Sequence, residues 1–547
     1  MSYKVEDRIT FVNMIVALTA LFIGGSIGPL QKLEHLGINL YTTLQSIGLR
    51  SYYQGLTIHA VLNALIWTTF FIVGFLTFTT VRSLEMNLVM PRLNQAAFWV
   101  MLGGLIMAGT PILMNLATVL FTFYPPMRAS PWFYVGLTLV IVGSWMSGWG
   151  MLLTYRAWRQ ANPGVRTPFI ALGGLITMVM WQIATIGIAV EVLFLLIPFA
   201  FGWTSGIDVQ VARTFFWFFG HPLVYYWLLP AYLSWYAMVP AQVDGKMFSE
   251  TGARIVFWMF LVLSVPVGVH HQFTDPGVPT GWKIVHFTLT FLLFVPSLIT
   301  AFTVIASLEI GGRARGGTGL VGWVRALPWD KPSFVAQNLA MILFAFGGIS
   351  GLTNASYNLN TAVHNTTWVP GHFHLTIGSA VTLSFMGILY WLWPKLTNKP
   401  LFSRRAAIWQ AWTWFGGMLL MSNGLSILGL NFSAPRRSAL GTAPYVEASW
   451  QPLMIEAAVG GMLLGISGLL FYYVIVGTVV QRKTLESPIE MPVAEPYHPE
   501  EIEKQPALLD TWRPWLAVAI TLIVVAYGPL LISLISNYNP VSGFKVW

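Results

Sequence analysis

Thirteen stretches of about 20 predominantly apolar residues recur along this chain, each long enough to cross a bilayer as a helix. They lie near 10–30, 54–80, 96–121, 131–154, 169–200, 208–238, 254–272, 283–308, 333–352, 369–393, 407–430, 452–479 and 514–536. Inside lipid every backbone N–H and C=O must find a partner within the protein, and a helix supplies these partners from its own segment. The remaining composition agrees: 56% of the 547 residues are hydrophobic and only 9% are charged, too few to coat a soluble protein of this size. The connections are mostly short and no internal repeat is visible. The expected fold is therefore all-α, a polytopic membrane helical bundle in which residues 1–547 form one integral-membrane domain. Twelve core spans fall within about 10–480, an irregular Pro- and Glu-rich cytoplasmic linker covers 481–511, and 512–547 carry an extra C-terminal span. The N-terminus, "MSYKVEDRIT", lacks a signal-peptide cleavage pattern, so the first span is expected to be retained.

Basic residues predict the orientation. With the N-terminus in the cytoplasm and the spans alternating, 21 of the 29 Lys and Arg fall on the cytoplasmic side. Only Lys32, Arg50, Arg128, Arg213, Lys283, Arg436, Arg437 and Lys545 fall outside. This bias accounts for the net charge of +9 against a lipid bilayer, and no nucleic-acid partner is needed. The chain has no cysteine, which excludes disulfides, thiolate metal sites and iron–sulfur clusters. Any metal must be held by histidine or oxygen ligands.

Ten histidines remain to be explained. His35 and His498 read as surface loop residues, and His286, early in the eighth span, as a local polar contact. His59, His221, His270, His271, His372 and His374 come from four spans, and the alternation puts all six in the outer half of the membrane. Buried ionisable groups in lipid usually mark function, and six at one depth point to metal or haem ligation. Residues two apart on a helix point about 200° apart, so His372 and His374 are expected to face two different cofactors. His221 and Tyr225, at i and i+4, share a face. His270 and His271 follow "SVPVG", where Pro266 and Gly268 can loosen the helix and let both rings reach one metal. Three neutral imidazoles from His221, His270 and His271 suit copper. His59, His372 and His374 are then left for haem iron. Two of them could clamp one haem, and the third could hold a second haem with an open face, where a small gas can bind.

Two polar features accompany the histidines. Tyr225, Tyr232 and Tyr236 lie close to one face of the sixth span, and Ser297, Thr300 and Thr303 recur at i, i+3 and i+6 in the eighth. Together they draw a hydroxyl line from the histidine cluster toward the cytoplasm, a candidate proton path once water is bound. Interfacial aromatic belts and helix contacts are the competing explanation. Arg436 and Arg437 are paired guanidiniums on the side disfavoured for arginine. They suit carboxylates such as haem propionates, and His364 could join them.

These residues together resemble subunit I of the haem-copper oxygen reductases, most closely the B-type cytochrome c oxidases. The matching stretches are "SYYQGLTIHAVLNA", "TVLFTFYPP", "ARTFFWFFGHPLVYYWLLPAY", "SVPVGVHHQFTDPG", "VPSLITAFTVIASLE", "RALPWD", "VHNTTWVPGHFHL" and "PRR". The resemblance implies that His59 and His374 are axial ligands of a low-spin haem b, and His372 the proximal ligand of a high-spin haem, a-type in that family. It implies CuB on His221, His270 and His271, and a tyrosine at Tyr225 that is cross-linked to His221 and supplies an electron and a proton. Tyr232, Tyr236, Ser297, Thr300 and Thr303 match the B-type proton path, and Arg436, Arg437 and His364 the propionate region. Phe373 would pack between the haems.

Some positions depart from related patterns. Leu223 stands where A-type chains have Glu, and no Lys lies within the eighth span beyond Lys283 at its start. Both features favour the B-type with a single proton path. Asn360 stands where a B-type member can carry Asp, and Phe219 where Thr can occur. The expected activity is the reduction of O2 to water with proton uptake and pumping, in the plasma membrane of a prokaryote. Electrons would come from cytochrome c or quinol; with no Cys here, a CuA centre would have to be carried by a subunit II. The alternatives are a nitric oxide reductase-like enzyme, disfavoured by Tyr225 and the scarcity of acids in the sixth and seventh spans, and a His-lined metal transporter.

Overall fold

The structure, a computed structural model, describes residues 3–545. The spans form helices that we label in chain order: α1 (Lys4–His35), α2 (Tyr52–Ser83), α3 (Pro91–Leu113), α4 (Pro131–Ala161), α5 (Phe169–Phe201), α6 (209–237), α7 (Glu250–Leu263), α8 (Thr280–Ala314), α9 (Pro332–Ala355), α10 (Trp368–Thr397), α11 (Arg404–Phe432), α12 (Ala448–Val480) and α13 (Trp512–Ser536). Among the described residues, eleven helices are long and apolar enough to cross a membrane on their own. The sixth and seventh predicted spans are not continuous helices. Pro222 follows His221 and breaks α6 into Val209–Gly220 and Pro222–Ala237. The seventh stops at Leu263, and "VPVG" turns into a 3₁₀ segment, Gly268–Gln272, that carries His270 and His271.

Local sequence explains many of the boundaries. Ser51, Asp208, Ser249 and Ser403 cap helices by accepting the N–H of the residue three further on. Pro91, Pro131 and Pro332 stand in the first turn, where a missing N–H costs nothing. Among the described residues, three π-helical segments interrupt the regular pitch: Val61–Trp67 in α2, Glu191–Leu196 in α5 and His374–Val381 in α10. Such bulges cluster at functional sites. Two of them begin at or just beyond a candidate ligand, His59 or His374.

The linker of residues 481–511 is irregular, as its composition suggests, but it is tightly tied down. Leu485 N–H donates to Asn398 O (3.1 Å), Ala494 N–H to Ala237 O (2.7 Å), and Tyr497 N–H to Met247 O (2.8 Å). Asp510 pairs with Arg159 at 3.1 Å. This strap closes one end of the bundle. The residues after α13 lie at the other end: Val541 and Ile207 exchange backbone bonds of 3.0 and 3.1 Å, and Phe544 pairs with Pro126 and Arg128.

Candidate haem and copper site

α10 divides the interior of the bundle. On one side lies a cavity of about 490 Å³ lined by α1, α2, α10, α11 and α12, with His59 and His374 on its wall. On the other lies a cavity of about 170 Å³ lined by His221, His270, His271 and His372. Phe373 and Arg436 line both. His372 and His374 thus open onto different spaces, as their two-residue spacing on a helix leads one to expect.

The rings in the larger cavity are held for use. His59 Nδ1 lies 2.8 Å from Gly24 O, and His374 Nδ1 lies 2.6 Å from Pro370 O. A carbonyl at Nδ1 fixes the proton there and leaves Nε2 as the ligand atom, the usual arrangement behind a metal-bound histidine. The two rings face each other with centroids 6.4 Å apart and planes 22° apart. Two imidazoles each coordinating at about 2 Å across one metal would stand roughly 6 Å apart between centroids, so the pair fits a bis-histidine haem. The wall is cut back to receive a flat macrocycle: Gly25, Gly28, Gly378, Gly461, Gly465 and Gly468 line it.

Across α10, His372 Nδ1 is held by Ser350 Oγ (3.0 Å) and Gly347 O (3.1 Å) of α9. Facing it, His221, His270 and His271 bring one nitrogen each within 4.8 Å of one another. The side chains behind them are specific. Thr290 Oγ1 holds His270 Nδ1 at 2.9 Å, Trp217 stacks on His271 at 3.7 Å, and Tyr225 Oη lies 3.1 Å from His221 Nε2. That leaves His221 Nδ1, 3.2 Å from His271 Nε2, on the inner side of the triad. A cluster of imidazoles without carboxylate or thiolate fits copper. The turn at Gly268 makes it possible: a Cβ there would stand 2.0 Å from Trp217 O, so only glycine lets the chain pass this close.

Arg437 Nε and Nη2 are buried without a hydrogen-bond partner among the described residues, and its guanidinium lies over Phe121 and Tyr124. Arg436 donates to Asn365 Oδ1 (3.0 Å). Burial and the neighbouring Arg437 push the Arg436 guanidinium well below its usual value, and burial lowers Arg437 as well. His364, on the wall of the smaller cavity, is lowered to about 4 by burial and then by Arg436. Two adjacent cations short of an anion suit carboxylates entering from the cavities. Asn360 also lines the smaller cavity; its Nδ2 donates to Asn354 O (2.6 Å) and its Oδ1 has no partner.

The hydroxyl line is paired across α6 and α8. Tyr232 Oη donates to Ser297 Oγ at 3.1 Å and Tyr236 Oη to Thr300 Oγ1 at 2.9 Å, while Thr303 is buried one turn on. Tyr225 and Ser297 share the cavity wall with the histidines. Ser307, not singled out from the sequence, continues the row: its hydroxyl donates to Thr303 O (2.8 Å) and accepts Phe248 N–H (2.9 Å). Its spacing of four from Thr303 was the available signal. Ser350 and Thr290, which hold the His372 and His270 rings, carried no sequence signal, because only the tertiary contact distinguishes them from other membrane hydroxyls.

Two of the three remaining histidines match expectation. His286 receives Val269 N–H (3.3 Å) and lies 3.2 Å from Ala526 O; His498 is exposed beside Glu500. His35 does not match. It is the last residue of α1, buried, 3.3 Å from Tyr52 Oη and on the wall of the larger cavity. The helix runs further than the apolar stretch, because Gln31, Lys32 and Glu34 are buried against neighbours rather than facing water.

Known proteins resemble this chain over most of its length. The family described as cytochrome c and quinol oxidase polypeptide I matches residues 8–463. The chain is 42% identical to cytochrome c oxidase subunit 1 of Thermus thermophilus, over 99% of this chain and 97% of that one. It is 26% identical to the subunit 1 of Thermostichus vulcanus over 70% of this chain and 67% of that one. Among solved structures, a cryo-EM structure of a heme-copper terminal oxidase dimer superposes with a TM-score of 0.93 at 34% identity, covering 100% of this chain and 96% of that one.

Proposed function

The chain belongs to the cytochrome c and quinol oxidase polypeptide I family, and from that premise we propose that it is the catalytic subunit of a terminal oxidase that reduces O2 to water. One observation carries the reading: a three-histidine cluster with its nitrogens within 4.8 Å of one another, lining one cavity with His372, with a tyrosine hydroxyl 3.1 Å from one ring. His59 and His374 would hold a low-spin haem b, His372 a high-spin haem of a-type, and His221, His270 and His271 the CuB ion. When bound, these groups would supply electron transfer and O2 binding.

The chain's own residues do the rest. Gly24, Pro370, Gly347 and Ser350 fix the ring orientations, so each Nε2 is presented without reorganisation. Tyr225 stands where its hydroxyl can give a proton and an electron to the reacting oxygen. Ser297, Tyr232, Thr300, Tyr236 and Thr303 hand protons to it, with water completing the line. Arg436, Arg437 and His364 hold the haem carboxylates. The distribution of basic residues supports an orientation with the strap end in the cytoplasm and the histidine end outward, and bacterial relatives support a prokaryotic plasma membrane. Protons are then taken up, and pumped, from the strap side. Electrons arrive from cytochrome c or quinol at the other end; a CuA-bearing subunit II is the partner if cytochrome c is the donor.

The nitric oxide reductase alternative is disfavoured by Tyr225 beside His221 and by histidines alone around the metal position. The test is turnover of the purified complex with a reduced donor. O2 should be consumed with water, and no peroxide, as product. Turnover of nitric oxide without O2 consumption would overturn the reading.

A further inference from the structure

Lys32 is the charge in the larger cavity that nothing described so far accounts for. It is 8% exposed, although it sits on a membrane-length helix, and it lines the cavity together with His59 and His374. Among the described residues it makes no hydrogen bond and no ion pair. A lysine near a helix end commonly extends to the interface, but this side chain is largely buried against α12 and opens on the cavity. Glu34, the carboxylate closest in sequence, is about 200° round the helix and is buried with its own Oε2 unpartnered. A lone ammonium at the wall of a largely apolar cavity is costly, and an anionic group from outside the polypeptide would relieve that cost.

The neighbouring helix is shaped around its stem. A Cβ at Gly461 of α12 would stand 2.6 Å from Lys32 Cγ and 3.2 Å from its Cβ. The position along α1 is also informative. A Cβ at Gly28 would meet the His59 ring at 3.3 Å, so Gly28 marks the ligand level. Lys32 is one turn, about 6 Å, further along, and the chain there runs on through Glu34 to Gly37, which pack against Gly441 of the segment that carries Arg436, Arg437 and Ser438. Those three residues line the same cavity. The two arginines approach from that segment and Lys32 from α1.

We propose that Lys32 pairs with a carboxylate of the porphyrin held between His59 and His374, and that it raises the reduction potential of that haem. The proposal rests on the functional reading above. A cation held in a low-dielectric site disfavours the oxidised, more positive state of the iron, so its removal lowers the midpoint potential. Lys32 is a positioning and tuning residue and does not touch the reacting oxygen.

The experiment is a potentiometric titration of the low-spin haem in the purified complex, followed at its visible absorption band, in Lys32→Gln, Lys32→Met and Lys32→Arg. The midpoint should fall in the Gln and Met variants and stay near wild type in Lys32→Arg. Redox-difference infrared spectra should show a shifted haem carboxylate band in Lys32→Gln. Unchanged midpoints in Gln and Met with the low-spin band intact would overturn the proposal, as would an Arg variant that falls as far as Gln, or an unmoved carboxylate band. Absence of low-spin haem from the wild type would instead refute the functional reading.

Discussion

The hydroxyl of Tyr225 lies 3.1 Å from His221 Nε2, and its ring packs on Phe260 with centroids 5.0 Å apart. Tyr225→Phe therefore deletes one oxygen and leaves the packing. Turnover should drop by about 10²-fold or more, the scale of a lost proton donor, while both haem spectra persist. Wild-type turnover in that variant would remove Tyr225 from the chemistry. Single residues of this kind were the most legible part of the chain. Buried histidines in lipid have few uses, and their spacing separates one centre from two. His35 and Lys32 were less legible, because loop and helix end look alike where an apolar stretch fades into polar residues. Only the burial of "QKLEH" against its neighbours shows that the helix continues.

Hydropathy made the spans legible as elements, but not their interruptions. The break at His221 and the turn at Gly268 bring three imidazoles together, and Pro222, Pro266 and Gly268 were visible signs of weakness there. What they could not convey was direction, since that depends on Trp217 and Thr290 across the gap. The π-helical segments after His59 and from His374 left no sequence trace, because one extra residue per turn is a response to packing. For α6 and α8 the paired hydroxyls make a sharper claim than spacing alone. Tyr232→Phe breaks the bond to Ser297, and Thr300→Val breaks that from Tyr236. Each should slow steady-state turnover, by about tenfold or more if no water substitutes for the lost hydroxyl, with the reduced-minus-oxidised spectrum unchanged. Turnover equal to wild type in both would take those residues out of the path.

Across the whole molecule, one end is closed by the strap of residues 481–511 and the other gathers the arginines, His364 and the last described residues. α13 links the two ends and braces the turn that carries His270 and His271 on its way. Ala526 O lies 3.2 Å from His286 Nε2, His286 Nδ1 accepts Val269 N–H, and Tyr527 packs on the His286 ring. A chain ending after Val480 should thus keep its haems and lose copper, by metal analysis of the purified protein. Full copper in that form would show the brace to be dispensable. The central claim, that this bundle is built around two haems and one copper, is tested most directly on the intact protein by a reduced-minus-oxidised spectrum with iron and copper quantified together. The account predicts a low-spin and a high-spin haem signal with two haem irons and one copper per chain. A spectrum without haem bands, or haem iron without copper, would contradict it.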